Sequence, residues 1–379
     1  MIAAAAWPRE RPEEERLLCI DAAADRFADA RVRDLPSLLV PGDLLVVNDA
    51  ATVPASLRGL REDGTPFEVR LLAHEAAHAG PGDGGDGARA ASTRWRAVLF
   101  GRGDWRQRTE DRPPPPCLGA GERIRVAGGV VARIEAIDPR SPRLVHLAFE
   151  GDASSMWRAI YDEGRPVQYA YIDAPLALWH VQSSFAARPW AVEPPSAGRP
   201  LTFGLLQRLR RRGIGVVALT HAAGLSSSGD AAIDALLPLP EHYDLPESTA
   251  RAIAAARLEG RRVVAVGTTV VRALEGCAAS HAGTLVAGEG STDLRLDARS
   301  PLRVVSGLLT GIHEPGTSHH ALMSAFARPA VHADPAAGDG GERGDLLSRA
   351  LEHAASSGYL QHEFGDSVIV LPYPGRLVS

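Results

Sequence analysis

Several stretches of the chain are apolar almost without interruption: Leu17–Ile20, Leu44–Val47, Ile214–Leu219, Val263–Val266 and Leu302–Leu309. Short apolar runs bounded by turn residues predict strands buried on both faces. Between them the apolar positions recur at helical spacing. Met156–Asp162 predicts a helix, as does Leu201–Arg212, with Leu201, Leu205 and Leu209 on one face. Glu247–Glu259 predicts another, with Ile253, Ala254 and Leu258 inward, and Leu346–Ala355 one more. From Thr269 onward Val270, Val271 and Leu274 continue the helical period, and Gly276 is placed to end it. Buried strands alternating with amphipathic helices predict an α/β fold.

The pattern changes between Leu57 and Phe149. Short segments of alternating polarity, Phe67–Leu72, Trp95–Phe100, Glu122–Val126, Val130–Ile137 and Leu144–Phe149, are separated by Gly- and Pro-rich turns. They predict a small β-barrel of residues 57–150, inserted between residues 1–56 and 151–379 of the main domain. Ala79–Ala90 reads as a flexible loop, Pro113–Pro116 as a stiff connector, and 329–344 as a low-complexity linker. No acid/base pair stands out in the insert, which predicts a structural or RNA-contacting role.

The strand ends carry the candidate chemistry, because α/β proteins bind ligands at the carboxyl ends of their strands. At Gly267-Thr268-Thr269 the period switches from strand to helix. Gly267 permits close backbone approach, and Thr268 or Thr269 can cap the helix while N–H groups face an anion. Arg272 can add a guanidinium for a carboxylate or phosphate. The plainer alternative is that Thr268 only caps and Arg272 pairs with Glu275 or Glu259. Asn48 and Asp49 end the Leu44–Val47 strand and either hold a turn or face a ligand. His221, at another strand end, is the best general acid/base candidate, against the common alternative of a structural histidine.

Composition narrows the classes. With 379 residues and 45% hydrophobic content, two domains are expected. No apolar run approaches the roughly 20 residues that span a bilayer, and the acidic start lacks the pattern of a secretory signal, so a cytoplasmic location is expected. Cys19, Cys117 and Cys277 are far apart and predict neither a disulfide framework nor a zinc site. All 41 basic residues are arginine, which excludes Schiff-base, pyridoxal-phosphate and Walker-type mechanisms, since these need lysine. A net charge of −5 argues against a general nucleic-acid coat. Arg208, Arg210, Arg211 and Arg212 form a local basic cluster that also suits the negative end of their helix.

Val264-Ala265-Val266-Gly267-Thr268-Thr269-Val270-Val271-Arg272-Ala273-Leu274-Glu275 resembles a signature of the S-adenosylmethionine:tRNA ribosyltransferase-isomerase family of queuosine biosynthesis. Other segments resemble the same family in order: Pro41–Asp49, Glu193–Pro200, Thr220–Gly224, Glu241–Pro246, Thr310–Ser318 and Phe364–Val370. The chain departs from the family's motifs at Ala50, Ala51, Ser56, Pro200, Leu239 and Gly311, and so is similar to a diverged member. The resemblance implies a barrel-like α/β main domain with an inserted small β-barrel. It implies transfer and isomerisation of the ribosyl part of S-adenosylmethionine onto 7-aminomethyl-7-deazaguanine in tRNA, giving epoxyqueuosine, adenine and methionine. S-adenosylmethionine is then a co-substrate rather than a resident cofactor, tRNA is the partner, and no metal or membrane is expected. It implies catalytic roles for His221 and His313. It also implies substrate-binding roles for Asn48, Asp49, Ser196, Gly198, Gly267, Thr268, Thr269, Arg272 and Asp366, with Ser196 as cap and hydroxyl donor. Asp366 either caps its turn or holds a ribose hydroxyl. Two alternatives stand beside this: a paralogue using S-adenosylmethionine on another acceptor, and a non-catalytic RNA- or nucleoside-binding module.

Overall fold

The computed structural model describes residues 2–75, 92–327 and 345–371. The predicted Ala79–Ala90 loop and the 329–344 linker lie outside the described residues.

The main domain is built on nine strands in the order Gly288–Thr292, Glu241–Leu245, Gly215–His221, Leu44–Asn48, Val263–Val266, Gly307–Gly311, Ser367–Leu371, Arg16–Asp21, Arg26–Arg31. Four neighbouring strands, from Gly215–His221 to Gly307–Gly311, run parallel, so their carboxyl ends share one edge. The antiparallel strands on either side, Glu241–Leu245 and Ser367–Leu371, begin at that same edge. Alternate residues explain the continuous apolar runs. Val46, Val263, Ala265 and Leu308 join one core with the helices Glu247–Leu258, Thr268–Ser280 and Leu346–Ser356. Leu45, Val47, Val264, Val266 and Leu309 join another with Leu205 and Leu209 of the Phe203–Arg211 helix. Both faces are dry, which is why no polar residue interrupts these strands. At the opposite edge Asp43 accepts two bonds from Arg262, at 2.9 and 2.5 Å, and ties the starts of two strands together.

The insert is a closed six-stranded barrel of Ser56–Leu60, Pro66–Glu75, Arg94–Phe100, Arg123–Val126, Val131–Ile137 and Leu144–Phe149. Ser56–Leu60 has no counterpart among the predicted barrel segments. It follows Val53-Pro54-Ala55 directly from the main domain, Gly59 interrupts its apolar alternation, and it pairs with Pro66–Glu75 from Ser56 onward. The barrel also holds an ionic group that sequence reading did not single out. Glu68 accepts from Arg70 and Arg112 at 2.6 Å each, and all three side chains are buried. Burial opposes its charge, yet the two guanidiniums hold the Glu68 carboxyl below the usual range.

Three predicted elements differ. The helix that starts at Thr268 does not stop at Gly276 but runs to Ser280. Gly276 instead makes room for Thr292, whose Oγ1 would lie 2.2 Å from an added Cβ. The strand predicted over Leu302–Leu309 is confined to Gly307–Gly311. The reason is Glu275, whose carboxylate accepts the backbone N–H groups of Arg303, Val304 and Val305 and draws them off the sheet. The helix predicted from Leu201 begins at Phe203, with Thr202 Oγ1 capping Leu205 N. Ser196 therefore does not cap it.

Candidate active site

A cleft of about 660 Å³ opens at the edge where the parallel strands end, the position expected of a ligand site in such a sheet. Its floor is the Gly267 turn. Gly267 takes φ 94° and ψ 149°, a conformation that side chains oppose, and swings the strand directly into the Thr268–Ser280 helix. No side chain caps this helix. Its first N–H groups and the positive end of its dipole therefore face the cleft, an arrangement suited to an anion.

Arg272 lies one turn in and is 6% exposed. Nη1 donates to Glu241 Oε2 at 2.5 Å and Nε to the Leu294 carbonyl at 3.1 Å. Its partner is thus Glu241, across the sheet, rather than Glu275 or Glu259. Nη2 is buried without a hydrogen-bond partner among the described residues. A buried guanidinium N–H left unpaired is costly, and a carboxylate or phosphate in the cleft would satisfy it.

Six of the predicted site residues line this cleft: Ser196, Gly267, Thr268, Thr269, Arg272 and His313. His313 Nε2 shares a 2.9 Å hydrogen bond with Thr310 Oγ1, and its ring packs on His319 at 4.8 Å. Burial, with the neighbouring imidazoles, holds the pKa of His313 well below the ordinary value. Burial and Arg272 lower that of His319 to about 4.

The other five lie off the cleft wall. His221 belongs to its strand, not to the loop after it, and is fully buried behind Glu241, with Nε2 3.4 Å from Glu241 Oε2. Burial, then the charge of Arg272, pushes its pKa down to about 3, so the ring is a neutral imidazole. Asn48 is likewise buried, bonded to His221 and Thr269. Asp49 accepts from Thr220 Oγ1 at 2.5 Å, and burial raises its pKa. Gly198 packs under Phe185, whose ring would stand 2.7 Å from an added Cβ. Asp366 accepts from the backbone N–H groups of Arg16 and Leu360 and from Arg9 at 2.7 Å, and its side chain is fully buried, so it caps its turn away from the cleft.

The cleft also carries groups that were not predicted: Glu193, Glu241, His362 and Glu363. Tyr169 donates its hydroxyl to Glu193 and Tyr171 to Glu363. Tyr169 stacks on Tyr171 at 6.0 Å, and Tyr171 on His362 at 4.4 Å. Among these, Glu193 and Glu241 could have been marked in advance, since each opens a segment that resembles a family motif, Glu193–Pro200 and Glu241–Pro246. Among the described residues no group of three or more His, Cys, Asp or Glu is placed to hold a metal ion, and no helix is long and apolar enough to cross a membrane.

The profile of a family described as "Queuosine biosynthesis protein" matches residues 2–370. The chain belongs to that family. A relative from Sorangium cellulosum, named S-adenosylmethionine:tRNA ribosyltransferase-isomerase, is 34% identical over 97% of this chain and 94% of its own. A relative of the same name from Thermus thermophilus is 33% identical over 91% of this chain and 89% of its own. A solved S-adenosylmethionine tRNA ribosyltransferase from Thermotoga maritima is similar over 97% of this chain and 96% of its own, with 20% identity and a TM-score of 0.48. Membership accounts for the shared motifs across the whole length. The geometry of the cleft shows which motif residues meet there.

Proposed function

We propose that this cleft performs the reaction named for the relatives, moving the ribosyl part of S-adenosylmethionine onto 7-aminomethyl-7-deazaguanine in tRNA with isomerisation, and releasing adenine and methionine. The chain is then a transferase and isomerase of tRNA modification, with S-adenosylmethionine as co-substrate, working in the cytoplasm. The observation that carries this reading is the uncapped start of the Thr268–Ser280 helix beside the unpaired Nη2 of Arg272. Together they form a site for one carboxylate, and S-adenosylmethionine presents one at its methionine end.

From there the other residues take roles by position. The N–H groups at Gly267, Thr268 and Thr269 and the guanidinium of Arg272 hold the methionine carboxylate. Glu241 fixes Arg272, and also accepts from Gly224 N at 2.9 Å, so the guanidinium is oriented before the substrate arrives. His362, stacked on Tyr171, presents a ring at the cleft suited to a base. His313, kept neutral, serves as a hydrogen-bonding group rather than a cation. His221 supports Glu241 from behind.

The deciding experiment incubates the protein with S-adenosylmethionine and tRNA carrying the 7-aminomethyl-7-deazaguanine base, and measures adenine and modified nucleoside. Both products are expected. Adenine released only with another acceptor would replace the substrate assignment, and binding without turnover would replace the enzyme assignment.

A further inference from the structure

Two carboxylates that line the cleft, Glu193 and Glu363, have no assigned part in binding the methionine end. Glu193 leaves the carboxyl end of the short Arg188–Ala191 strand and enters the Pro194-Pro195-Ser196-Ala197 loop. That loop abuts the anion site: Ala197 Cβ would lie 3.6 Å from a Cβ on Gly267. Glu363 comes from the other side, on a turn where His362 takes φ 70°. Left-handed backbone at a histidine is uncommon, and here the turn is held by Asp366, by Gly365 N bonded to the His362 carbonyl at 2.9 Å, and by the stack on Tyr171. The outcome is that two stacked phenols each donate to one of two facing carboxylates.

Resting on the reaction proposed above, we infer that Glu193 is the proton-transfer residue of the cleft, with Glu363 as a positioning residue that keeps it basic. The sulfonium of S-adenosylmethionine acidifies the C–H bonds beside it, and its positive charge is complementary to a carboxylate. The Glu193 carboxylate takes a proton from the ribosyl carbon bonded to sulfur. That C–H bond breaks, an O–H bond forms, and the electron pair remains on the carbon beside the sulfonium. The pair on that carbon then forms a C=C bond to the adjacent ring carbon as the ring C–O bond there breaks, and the ring oxygen's pair forms a C=O bond to the carbon bearing adenine. The sugar–adenine bond breaks with its electron pair leaving on adenine, and the proton held by Glu193 passes to an adenine nitrogen. The carboxylate is restored, and neither step requires an oxidant or reductant.

The surroundings match this task. Burial is the main cause that raises the pKa of Glu193 to about 7, with the nearby Glu363 charge adding to it and bonds from Tyr169 and Ser226 opposing it. A base poised near the working pH is the efficient choice. The titratable groups facing it are Tyr169, Glu363 and Tyr171, with His362 behind Tyr171, Asp234 on the Ser227 side and Arg70 over the Tyr169 ring at 5.8 Å. His221, by contrast, is sealed from the cleft and far less basic.

The test is adenine release measured from about pH 5.5 to 9 for the wild type, E193Q, E363Q and Y169F. For the wild type, kcat/KM is expected to rise with pH around a half-point near 7, as Glu193 loses its proton. E193Q should lower turnover about 100-fold or more while affinity for S-adenosylmethionine changes by less than about threefold. E363Q removes a like charge and should move the half-point down, while Y169F removes a stabilising donor and should move it up. Folding of each variant is read from its circular dichroism, and the two opposed shifts test the inference even if E193Q does not fold. Turnover of folded E193Q within about threefold of wild type, or half-points that stay fixed in E363Q and Y169F, would overturn it. A wild type that releases no adenine removes the reaction and this inference together, whereas an active wild type with an indifferent Glu193 removes only the inference.

Discussion

The carboxamide of Asn48 meets the backbone of His221 twice: Oδ1 accepts from its N–H at 2.9 Å and Nδ2 donates to its carbonyl at 3.0 Å. Oδ1 also accepts from Ala50 N at 3.0 Å, and Nδ2 lies 3.4 Å from Thr269 Oγ1. One buried side chain thereby fixes two strand ends and the first turn of the helix below the cleft. Asn48→Ala leaves buried backbone groups unpaired, each at about 1–3 kcal/mol. A clear drop in melting temperature is expected, together with reduced turnover, because the floor of the cleft loses its fixed spacing. An unchanged melting temperature would show that the strand ends hold themselves.

Arg272 supplies a guanidinium with one buried N–H unspent. Arg272→Lys keeps the charge but cannot reach Glu241, the Leu294 carbonyl and a ligand carboxylate together. The KM for S-adenosylmethionine should rise about 10- to 100-fold, in line with the 1.5–3 kcal/mol of a charge-assisted bond. Steady-state kinetics at saturating tRNA would check this. A KM within twofold of wild type would place the carboxylate elsewhere.

Gly267→Ala tests the turn. An added Cβ has ordinary room, with Thr269 Oγ1 at 3.4 Å, so the cost comes from φ 94° rather than from a clash. Holding a side chain there costs on the order of 1–3 kcal/mol. Thermal unfolding should begin at lower temperature, and S-adenosylmethionine binding should weaken as the first helical N–H groups shift.

In the barrel, Glu68 is the shared partner of Arg70 and Arg112, whose side chains are 1% and 0% exposed. Glu68→Gln leaves two buried guanidiniums without a counter-charge, which costs about 3–5 kcal/mol. Urea titration should show early unfolding of the barrel, with the Thr268–Ser280 region retained. Full native stability in this variant would mean that water reaches the pair.

Buried histidines should make stability depend on mild acid. His221, with its pKa at about 3 in the native state, stays neutral while the unfolded chain takes up a proton below about 6.5. The unfolded state thus binds more protons in that window, and stability falls as pH drops through it. His319, at about 4, acts in the same direction. Glu193 acts in the opposite one, since the native state keeps a proton up to about 7 that the unfolded state loses near 4.5. His221→Gln should therefore flatten the decline between about pH 6.5 and 4, by as much as about 1.4 kcal/mol per pH unit. Denaturant midpoints measured across this range would reveal an equal slope if the histidine were solvated.

Residues that are local in their effect were legible in the sequence. Val263–Val266 shows as a buried strand because both its faces are covered, which leaves no alternation to misread. Gly267-Thr268-Thr269 shows as a strand-to-helix turn because the glycine conformation and the change of period fall within a few residues. The barrel segments show through alternation, apart from Ser56–Leu60, where Gly59 replaces a side chain and leaves the period too short to read. His221 also reads as a strand end, but its depth behind Glu241 depends on the neighbouring Glu241–Leu245 strand, which the chain supplies twenty residues later.

The sequence by itself determined the α/β class, the inserted barrel, the family and the strand-to-helix turn at Gly267, since each follows from periodicity or from motifs contiguous in the chain. Tertiary structure decided the partners. Arg272 meets Glu241 rather than Glu275 or Glu259, Asp366 is consumed by Arg9, Arg16 and Leu360, and Glu193 faces Glu363 across 170 residues. Burial sets the proton affinity of each of these groups, and burial is a property of everything packed around a residue, which no local stretch of sequence contains.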